Sequence, residues 1–302
     1  MKKTLITVIG PTAIGKTRLA IELAKHYKAE IISADSRQFF KEMKIGTAVP
    51  SNEELAAATH HFIQHKSIQE HYTVGDFERE AMTLTETLFH NNNIAILVGG
   101  SGLYIDAVTK GLDYFPDVDP EIRVQLNQKI EEEGLENLQT QLKELDPIYF
   151  DKVDIHNPHR VIRALEICIG SGKPYSSFLN KDKNKRPFQV ISVGIEADRE
   201  VIYDRINRRV DIMIEDGLLE EAKSLEKYKE LNALQTVGYR ELFNYFNGEC
   251  TLEFAISEIK KNTRRFAKRQ LTWFKKTENV IWVPFNADID AVVQQIELIK
   301  DE

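Results

Sequence analysis

The stretch GPTAIGKT, Gly10 to Thr17, decides the fold. Gly10, four further residues and then Gly15-Lys16-Thr17 match the phosphate-binding loop pattern. An apolar run over residues 5–9 precedes the loop, and a helical pattern over residues 18–27 follows it. Because this pattern binds phosphate when it joins a strand to a helix, we predict an α/β protein with a P-loop NTPase-like core.

Each part of this loop has a chemical role. Glycines allow several backbone N–H groups to point at one anion, and the helix that follows adds the positive end of its dipole. Lys16 supplies a charge, and the Thr17 hydroxyl can bind Mg2+. The pattern indicates a phosphate ligand without identifying it as ATP, and a glycine-rich turn around a buried lysine is the alternative. The predicted phosphate site comprises Gly10, Pro11, Thr12, Ala13, Ile14, Gly15, Lys16 and Thr17.

Length and charge restrict the class of protein. A chain of 302 residues suffices for one large or two modest domains. A formal charge of −7 argues against a protein that binds nucleic acid over its whole surface, although local basic patches remain possible. Cys168 and Cys250 show no metal or redox spacing. No apolar stretch has the length of a membrane span or a signal peptide, so we predict a cytoplasmic protein, and a monomer.

Short apolar runs alternate with helical patterns along the chain. This alternation predicts a parallel sheet flanked by helices on both faces, with ligands at the carboxyl ends of the strands. Three of these strand ends carry the polar segments GPTAIGKT, ADSRQ and GGSGLY, which should therefore converge. The predicted strands are residues 4–9, 30–33, 94–98, 189–195 and 280–283.

The middle of the chain has a different character. Helical patterns cover residues 120–133 and 135–145, and a third helix begins at Asn157-Pro158 and ends near Gly170. We therefore predict an all-helical insertion over residues 116–187, within a core made of residues 1–115 and 188–302. Two long helices are predicted after it, at residues 198–226 and 252–276.

The last of these helices is strongly basic. A run of charges is usually a solvated helix face. Here Phe266, Trp273 and Phe274 lie among the charges, and basic residues interleaved with aromatic ones also suit RNA, through backbone contacts and base stacking. The basic residues are Lys260, Lys261, Arg264, Arg265, Lys268, Arg269, Lys275 and Lys276.

Arg205 and Arg209 form a second cationic feature. They stand at positions i and i+4 of one helix, where like charges repel unless an anion lies between them. Either acids elsewhere in the fold neutralise them, or the pair clamps a phosphate. A P-loop kinase or ATPase would also need an acid for Mg2+ at a second strand end. The strand at 94–98 lacks one, and Asp35 is a candidate.

Ten segments, in order and spacing, resemble the bacterial tRNA dimethylallyltransferases. The resemblance covers nearly the whole chain, and only the phosphate-binding loop is specific by itself. The segments are GPTAIGKT, ADSRQFFK, KIGTAVP, THHF, YTVGDFEREA, GGSGLYI, HNPHRVIRALE, RINRRVDIMIEDGLLEEA, TVGYREL and NTRRFAKRQLTWF.

This resemblance implies a reaction and roles for residues. A dimethylallyl group would pass from dimethylallyl diphosphate to N6 of adenosine 37, next to the anticodon, in tRNAs that read codons beginning with U. Asp35 matches the general base, and Arg209, the phosphate loop and Mg2+ at Thr17 would neutralise the leaving diphosphate. Ser101 stands where the family has threonine, keeping the hydroxyl but losing the methyl group that restricts its rotamer.

The resemblance also implies contacts with the tRNA anticodon stem-loop. Gln38 matches the residue that contacts the extruded adenine, and its amide can pair with both a donor and an acceptor. His60-His61 resemble a metal pair only superficially, because adjacent side chains point apart and the family has no metal there. The predicted tRNA contacts are Asp35, Ser36, Arg37, Gln38, Ser101, Arg123, His159, Arg160, Val161, Ile162, Arg163, Arg240, Lys268 and Arg269.

Two alternatives to this prediction are enzymes with the same loop. One is an RNA-binding ATPase or kinase that uses the loop for ATP. The other is an adenylate isopentenyltransferase, which shares the core but modifies a free nucleotide. The helical insertion and the basic helix favour tRNA as the acceptor.

Overall fold

The computed structural model describes residues 2–179 and 185–300. The chain divides into two compact units. The first comprises Met1–Lys110 with Arg186–Glu302, and the second is Gly111–Lys185. No helix of the described residues is long and apolar enough to cross a membrane.

The first unit is built on a six-stranded sheet with the order β3-β2-β4-β1-β5-β6. Every pairing of neighbouring strands is parallel, which confirms the predicted parallel sheet. The shortest strand was not predicted, because two residues cannot show an apolar alternation. The strands are β1 Thr4–Ile9, β2 Ile31–Ser33, β3 His60–His61, β4 Ile94–Gly99, β5 Gln189–Glu196 and β6 Val280–Pro284.

Helices lie on both faces of this sheet, as predicted. Strands β1 and β4 are buried along their whole length, as expected for parallel strands covered on both sides. Alternate residues enter different apolar clusters, with Ile6 and Val8 in one and Leu5 and Ile9 in the other. The helices of this unit are α1 Lys16–Tyr27, α2 Asn52–Ala57, α3 Val74–Asn91, α4 Gly102–Lys110, α9 Arg199–Glu215, α10 Leu218–Leu225, α11 Tyr239–Phe246, α12 Leu252–Phe274 and α13 Ile289–Lys300.

The helix predicted at residues 198–226 is in fact two helices, so this prediction was wrong. Helix α9 ends at Glu215 and α10 begins at Leu218. Gly217 between them has a φ of 100°, a left-handed conformation that glycine adopts without the steric cost of a Cβ atom. The apolar periodicity continues on both sides of Gly217, so the periodicity alone does not show where the first helix ends.

The second unit is helical. Its core contains Leu126, Leu138, Leu142, Val161 and Leu165, all buried. Proline at the first turn starts three of its helices, where the missing N–H has no intrahelical partner to lose. The helices are α5 Pro120–Glu133, α6 Leu135–Leu145, α7 Pro147–Phe150 and α8 Pro158–Ser171, followed by a 3-10 turn at Tyr175–Phe178.

Candidate active site

Two cavities open at the carboxyl ends of β1, β2 and β4, where the three polar segments converge. The first cavity has a volume of about 890 Å³ and is lined by the phosphate loop, the segment after β2 and the arginines of α9. The second has about 640 Å³ and is lined by Ser101, Arg240 and residues of α12. Both cavities share the lining residues Thr12, Asp35, Thr47, Arg209 and Met213.

The phosphate loop joins β1 to α1 as the sequence pattern predicts. Gly10 and Gly15 have φ angles of 149° and 106°, and Ala13 also has a positive φ. A Cβ atom on Gly10 would lie 2.9 Å from the carbonyl oxygen of Ile195, so the loop needs glycine there. No side chain caps the start of α1, which leaves its first N–H groups available to an anion.

Lys16 is the half-buried cation of this loop. Its Nζ donates to the carbonyl of Pro11 at 2.8 Å. Burial lowers the pKa of Lys16 to about 8, while the Asp35 carboxylate opposes this shift and Arg209 adds to it. An anion bound in the loop would stabilise the protonated amine, so the site is electrostatically suited to phosphate.

The two predicted arginines of α9 both line the first cavity. Arg205 Nε donates to the carbonyl of Ala13 at 2.7 Å, and its guanidinium lies over the ring of Phe285. Burial lowers the pKa of Arg209, although Asp35 and Glu54 oppose this. Within residues 2–179 and 185–300, neither arginine has a carboxylate oxygen within ion-pair distance. This arrangement favours the phosphate-clamp alternative.

Asp35 and Ser101 both line the second cavity, and hydrogen bonds from neighbouring residues orient them. Asp35 Oδ1 accepts a hydrogen bond from the N–H of Arg37 at 3.1 Å. The N–H of Ser36 donates to Ser101 Oγ at 3.2 Å, and the two serine hydroxyls lie 3.1 Å apart. These contacts orient the Ser101 hydroxyl, so hydrogen bonds to Ser36 do what the methyl group of a threonine would do.

Gln38 can offer only its Oε1 to a ligand, rather than both polar atoms as the sequence suggests. Its Nε2 donates to the carbonyl of Thr47 at 3.2 Å and to that of Ala48 at 2.9 Å, so both amide hydrogens are used within the protein. Oε1 accepts from Ser33 Oγ at 3.5 Å, which leaves one of its two acceptor positions. The Gln38 side chain can pair with a donor on a ligand, such as an exocyclic amine, and not with an acceptor.

The basic helix α12 divides into paired and free charges. Lys260 pairs with Asp211 at 2.5 Å, and Lys261 pairs with Glu258 at 2.9 Å. Arg264 donates to the side-chain oxygen of Asn207 at 2.7 Å. Lys268 and Arg269 are exposed, and Arg269 lies over the ring of Phe266, at the second cavity. The two lysines at the start of the run are therefore neutralised by acids, whereas Lys268 and Arg269 are exposed cations that a ligand can reach.

Gln270 is a site residue that the sequence reasoning missed. Its Oε1 accepts from the N–H of Thr12 at 2.8 Å, and its Nε2 donates to the carbonyl of Gly100 at 2.9 Å. One buried amide thus connects the phosphate loop to the end of β4. Its position between the buried Ala267 and Phe274, on the apolar face of a basic helix, is the signal that could have identified it.

The remaining predicted tRNA contacts of the second unit fall into three groups. Arg123 and Arg163 both pair with the buried Glu166 at 2.8 Å. Burial raises the pKa of Glu166, but hydrogen bonds from these two arginines outweigh it and lower the pKa. Val161 and Ile162 are buried, so only their main chain could take part in the predicted contact. His159 and Arg160 are exposed on the first turn of α8.

The two adjacent histidines form strand β3, and each has a hydrogen-bond partner within the protein. His61 Nε2 lies 2.7 Å from a carboxylate oxygen of Glu30, and His60 Nδ1 lies 2.8 Å from the carbonyl of Ala58. The part of the chain that the structure describes contains no group of three metal-ligating His, Cys, Asp or Glu side chains.

Known proteins resemble this chain in sequence and in fold. The family model for IPP transferase matches residues 38–277. The tRNA dimethylallyltransferase of Flavobacterium psychrophilum is 62% identical over 298 residues, 97% of each chain.

Two solved structures are similar as well. The tRNA isopentenylpyrophosphate transferase of Bacillus halodurans has a TM-score of 0.72 and 37% identity, over 99% of this chain and 96% of that one. A eukaryotic dimethylallyltransferase acting on tRNA has a TM-score of 0.85 and 26% identity, over 99% of this chain and 80% of that one. The family match and the identity along nearly the whole chain show that this protein belongs to the IPP transferase family.

Proposed function

We propose that this protein is a tRNA dimethylallyltransferase, which transfers a dimethylallyl group from dimethylallyl diphosphate to N6 of adenosine 37 in tRNAs that read codons beginning with U. Its 62% identity with a relative of that name supports the activity. One structural observation carries the proposal, namely that Asp35 borders both cavities, one with a phosphate loop and the other with basic and aromatic residues. The two substrates would meet at this carboxylate.

The first cavity would hold the diphosphate. Backbone N–H groups of the phosphate loop and the amine of Lys16 surround one end of it, and Arg205 and Arg209 line it as well. An allylic C–O bond breaks readily once the charge on the departing diphosphate is neutralised, so these groups would stabilise the transition state. Lys16 and Arg209 are both partly buried, and a cation that is partly removed from water interacts more strongly with an anion.

The residues present also fit Mg2+. This ion takes one or two protein oxygens and completes its octahedron with phosphate oxygens and water. The Thr17 hydroxyl and the Asp35 carboxylate both line the first cavity, and they are oxygen ligands of this kind. The ion would neutralise charge on the diphosphate. We propose Thr17 as its ligand.

Asp35 would act as the general base. As the bond from N6 to the allylic carbon forms and the C–O bond of the donor breaks, N6 must lose a proton and diphosphate leaves. Asp35 is placed to accept this proton, because it lies where the cavities meet. The oriented hydroxyl of Ser101 and the remaining acceptor position of Gln38 Oε1 both suit an amine donor.

The tRNA would enter through the second cavity. Arg269, Arg240 and Trp273 line it, which combines cations for phosphates with an aromatic surface for a base. The adenine would leave its stack to reach Asp35, at a cost of about a few kcal/mol. Arg37, Lys268 and the exposed His159 and Arg160 of the second unit are further proposed contacts.

Transfer of label tests this function. The protein is incubated with radiolabelled dimethylallyl diphosphate and unmodified tRNA, without ATP, and we expect label in the RNA. Replacing tRNA by AMP separates this enzyme from an adenylate isopentenyltransferase. Label in neither acceptor, together with ATP hydrolysis in a parallel assay, would instead identify an RNA-binding ATPase.

A further inference from the structure

The Glu221 carboxylate holds the first three residues of the loop 44–50, whereas Gln38 holds Thr47 and Ala48. Glu221 Oε2 accepts from the N–H groups of Lys44 at 2.9 Å and Ile45 at 2.8 Å. Its Oε1 accepts from the N–H of Gly46 at 2.9 Å and from the hydroxyl of Tyr239 at 2.7 Å. A carboxylate has about four acceptor positions, so all are in use here. The position of this backbone therefore depends on Glu221.

The Tyr239 side chain packs against the backbone of this loop. It is fully buried, and burial together with the Glu221 carboxylate raises its pKa, so the phenol remains a donor. A Cβ atom on Gly46 would lie 2.6 Å from the Tyr239 ring, which means that the loop backbone packs directly on the ring. Glu221 and Tyr239 thus hold the loop together, one by hydrogen bonds and one by contact.

The held loop is a wall of both cavities. All residues from Lys44 to Pro50 except Gly46 line the first cavity, and Gly46 and Thr47 line the second. Most of the residues that this loop contributes to the first cavity are apolar, namely Ile45, Ala48, Val49 and Pro50. An apolar wall beside a phosphate loop is the environment that the hydrocarbon part of a diphosphate ester requires.

We propose that Glu221, assisted by Tyr239, is a positioning residue that keeps this wall close to the phosphate loop and so restricts the donor to a five-carbon allylic chain. The proposal rests on the proposed function and specifies its donor selectivity. Hydrogen bonds from backbone N–H groups to a carboxylate are stronger than those between neutral groups. Without them residues 44–46 would be free to move outwards, although Gln38 still holds Thr47 and Ala48, and the cavity would admit a longer chain.

Competition between donors of two lengths tests this role. Each variant receives equal amounts of dimethylallyl diphosphate and the ten-carbon geranyl diphosphate with one tRNA, and the ratio of the two modified nucleosides is measured by mass spectrometry. In Glu221→Gln one acceptor oxygen is lost, and we expect the five-to-ten-carbon ratio to fall about tenfold. Because both products come from the same enzyme, a general loss of activity cancels.

Two further variants complete the experiment. Glu220→Gln is the matched control, since Glu220 is the preceding residue of α10 and its side chain is exposed, and it should keep the ratio of the unmutated protein. Tyr239→Phe removes one of the four hydrogen bonds, so we expect a smaller fall, about threefold.

The outcomes separate this proposal from the proposed function. A folded Glu221→Gln protein that transfers the prenyl group with an unchanged ratio would overturn the positioning role. Should Glu221→Gln not fold, the ratio of Tyr239→Phe decides in the same way. If the unmutated protein transfers neither donor to tRNA, the proposed function itself fails.

Discussion

At the scale of single residues, the site depends on charges that are partly removed from water. Lys16, Asp35 and Arg209 interact electrostatically, and both cations are half-buried. Burying a cation is unfavourable unless an anion joins it. Asp35 provides part of that compensation, and a bound diphosphate would provide the rest. Two predictions follow from this balance.

The first concerns Asp35→Asn. Asparagine keeps an oxygen that can accept from the N–H of Arg37, but it cannot accept a proton from N6. Loss of a general base lowers turnover about 10²- to 10⁴-fold, with little change in tRNA affinity. Single-turnover rates and equilibrium tRNA binding measure the two effects. Normal turnover would contradict the role of general base and would favour a metal ligand or a structural acid instead.

The second prediction concerns pH. The folded-state pKa of Lys16 is about 8, below its ordinary value, so the buried amine is unprotonated above pH 8 in the absence of a ligand. Diphosphate binds best to the protonated form, and its affinity should fall by up to about tenfold per pH unit above pH 8. Calorimetric titration with Mg2+-pyrophosphate between pH 7 and 9.5 measures this. A Lys16→Gln variant should bind weakly at every pH, and an equal slope in that variant would contradict the assignment.

The contribution of Lys16 to the stability of the fold also depends on pH, and it changes in the opposite direction to the ligand affinity. Between about pH 8 and the pKa of the unfolded chain, the unfolded state binds more protons than the folded state. The free energy of unfolding contributed by Lys16 therefore rises with pH across this window. Ligand affinity and stability thus oppose each other at this residue, as expected where a charge serves binding.

At the scale of elements, helix α12 performs two tasks with different residues. Gln270 faces the sheet and connects the phosphate loop to the end of β4 through two hydrogen bonds. Lys268 and Arg269, the two residues before it, face solvent. One helix therefore contacts the proposed diphosphate site on one side and presents cations on the other.

Replacing Lys268 and Arg269 together by alanine should weaken tRNA binding and flatten its salt dependence. Two lost phosphate contacts reduce the slope of log K against log[salt] by about 1.4 to 1.8. The matched control is Lys260→Ala with Lys261→Ala on the same helix, which removes the same charge from lysines already paired with Asp211 and Glu258. Filter binding over a salt series compares them. Equal slopes for both double variants would show that the exposed pair does not contact RNA.

At the scale of the whole molecule, we expect the two units to have separable roles. Among residues 2–179 and 185–300, those that line the two cavities all belong to the first unit. The second unit has a core of its own and carries His159 and Arg160 on its surface. We therefore expect donor binding to depend on the first unit alone and tRNA binding to depend on both units.

The double variant His159→Ala with Arg160→Ala tests this division. We expect tRNA affinity to fall about tenfold, for contacts worth one to two kcal/mol, while the affinity for Mg2+-pyrophosphate is unchanged. Arg123→Ala is an informative comparison, because Arg123 pairs with the buried Glu166 and its loss should lower the melting temperature of the protein. Weakened pyrophosphate binding in the double variant would contradict separate roles.

The sequence by itself determined the parallel α/β core and the strand-loop-helix of the phosphate site. It could do so because apolar periodicity and glycine spacing are local properties of the chain. It also identified Asp35 and Ser101 as residues of neighbouring strand ends, since parallel strands present their carboxyl ends at one edge. The break between α9 and α10 could have been predicted from Gly217, because glycine often ends a helix. The prediction instead followed the apolar periodicity, which continues past Gly217.

Only the tertiary structure decided which polar groups remain free. Gln38 keeps one acceptor because Thr47 and Ala48 take both its amide hydrogens, and Gln270 is committed to Thr12, 258 positions away. The carboxylate of Glu221 is likewise used by a loop more than 170 positions distant. Hydrogen bonds of this kind join residues that the fold brings together, and no local pattern records them. The sequence therefore identifies the reactive residues, whereas only the structure shows the hydrogen bonds that position them.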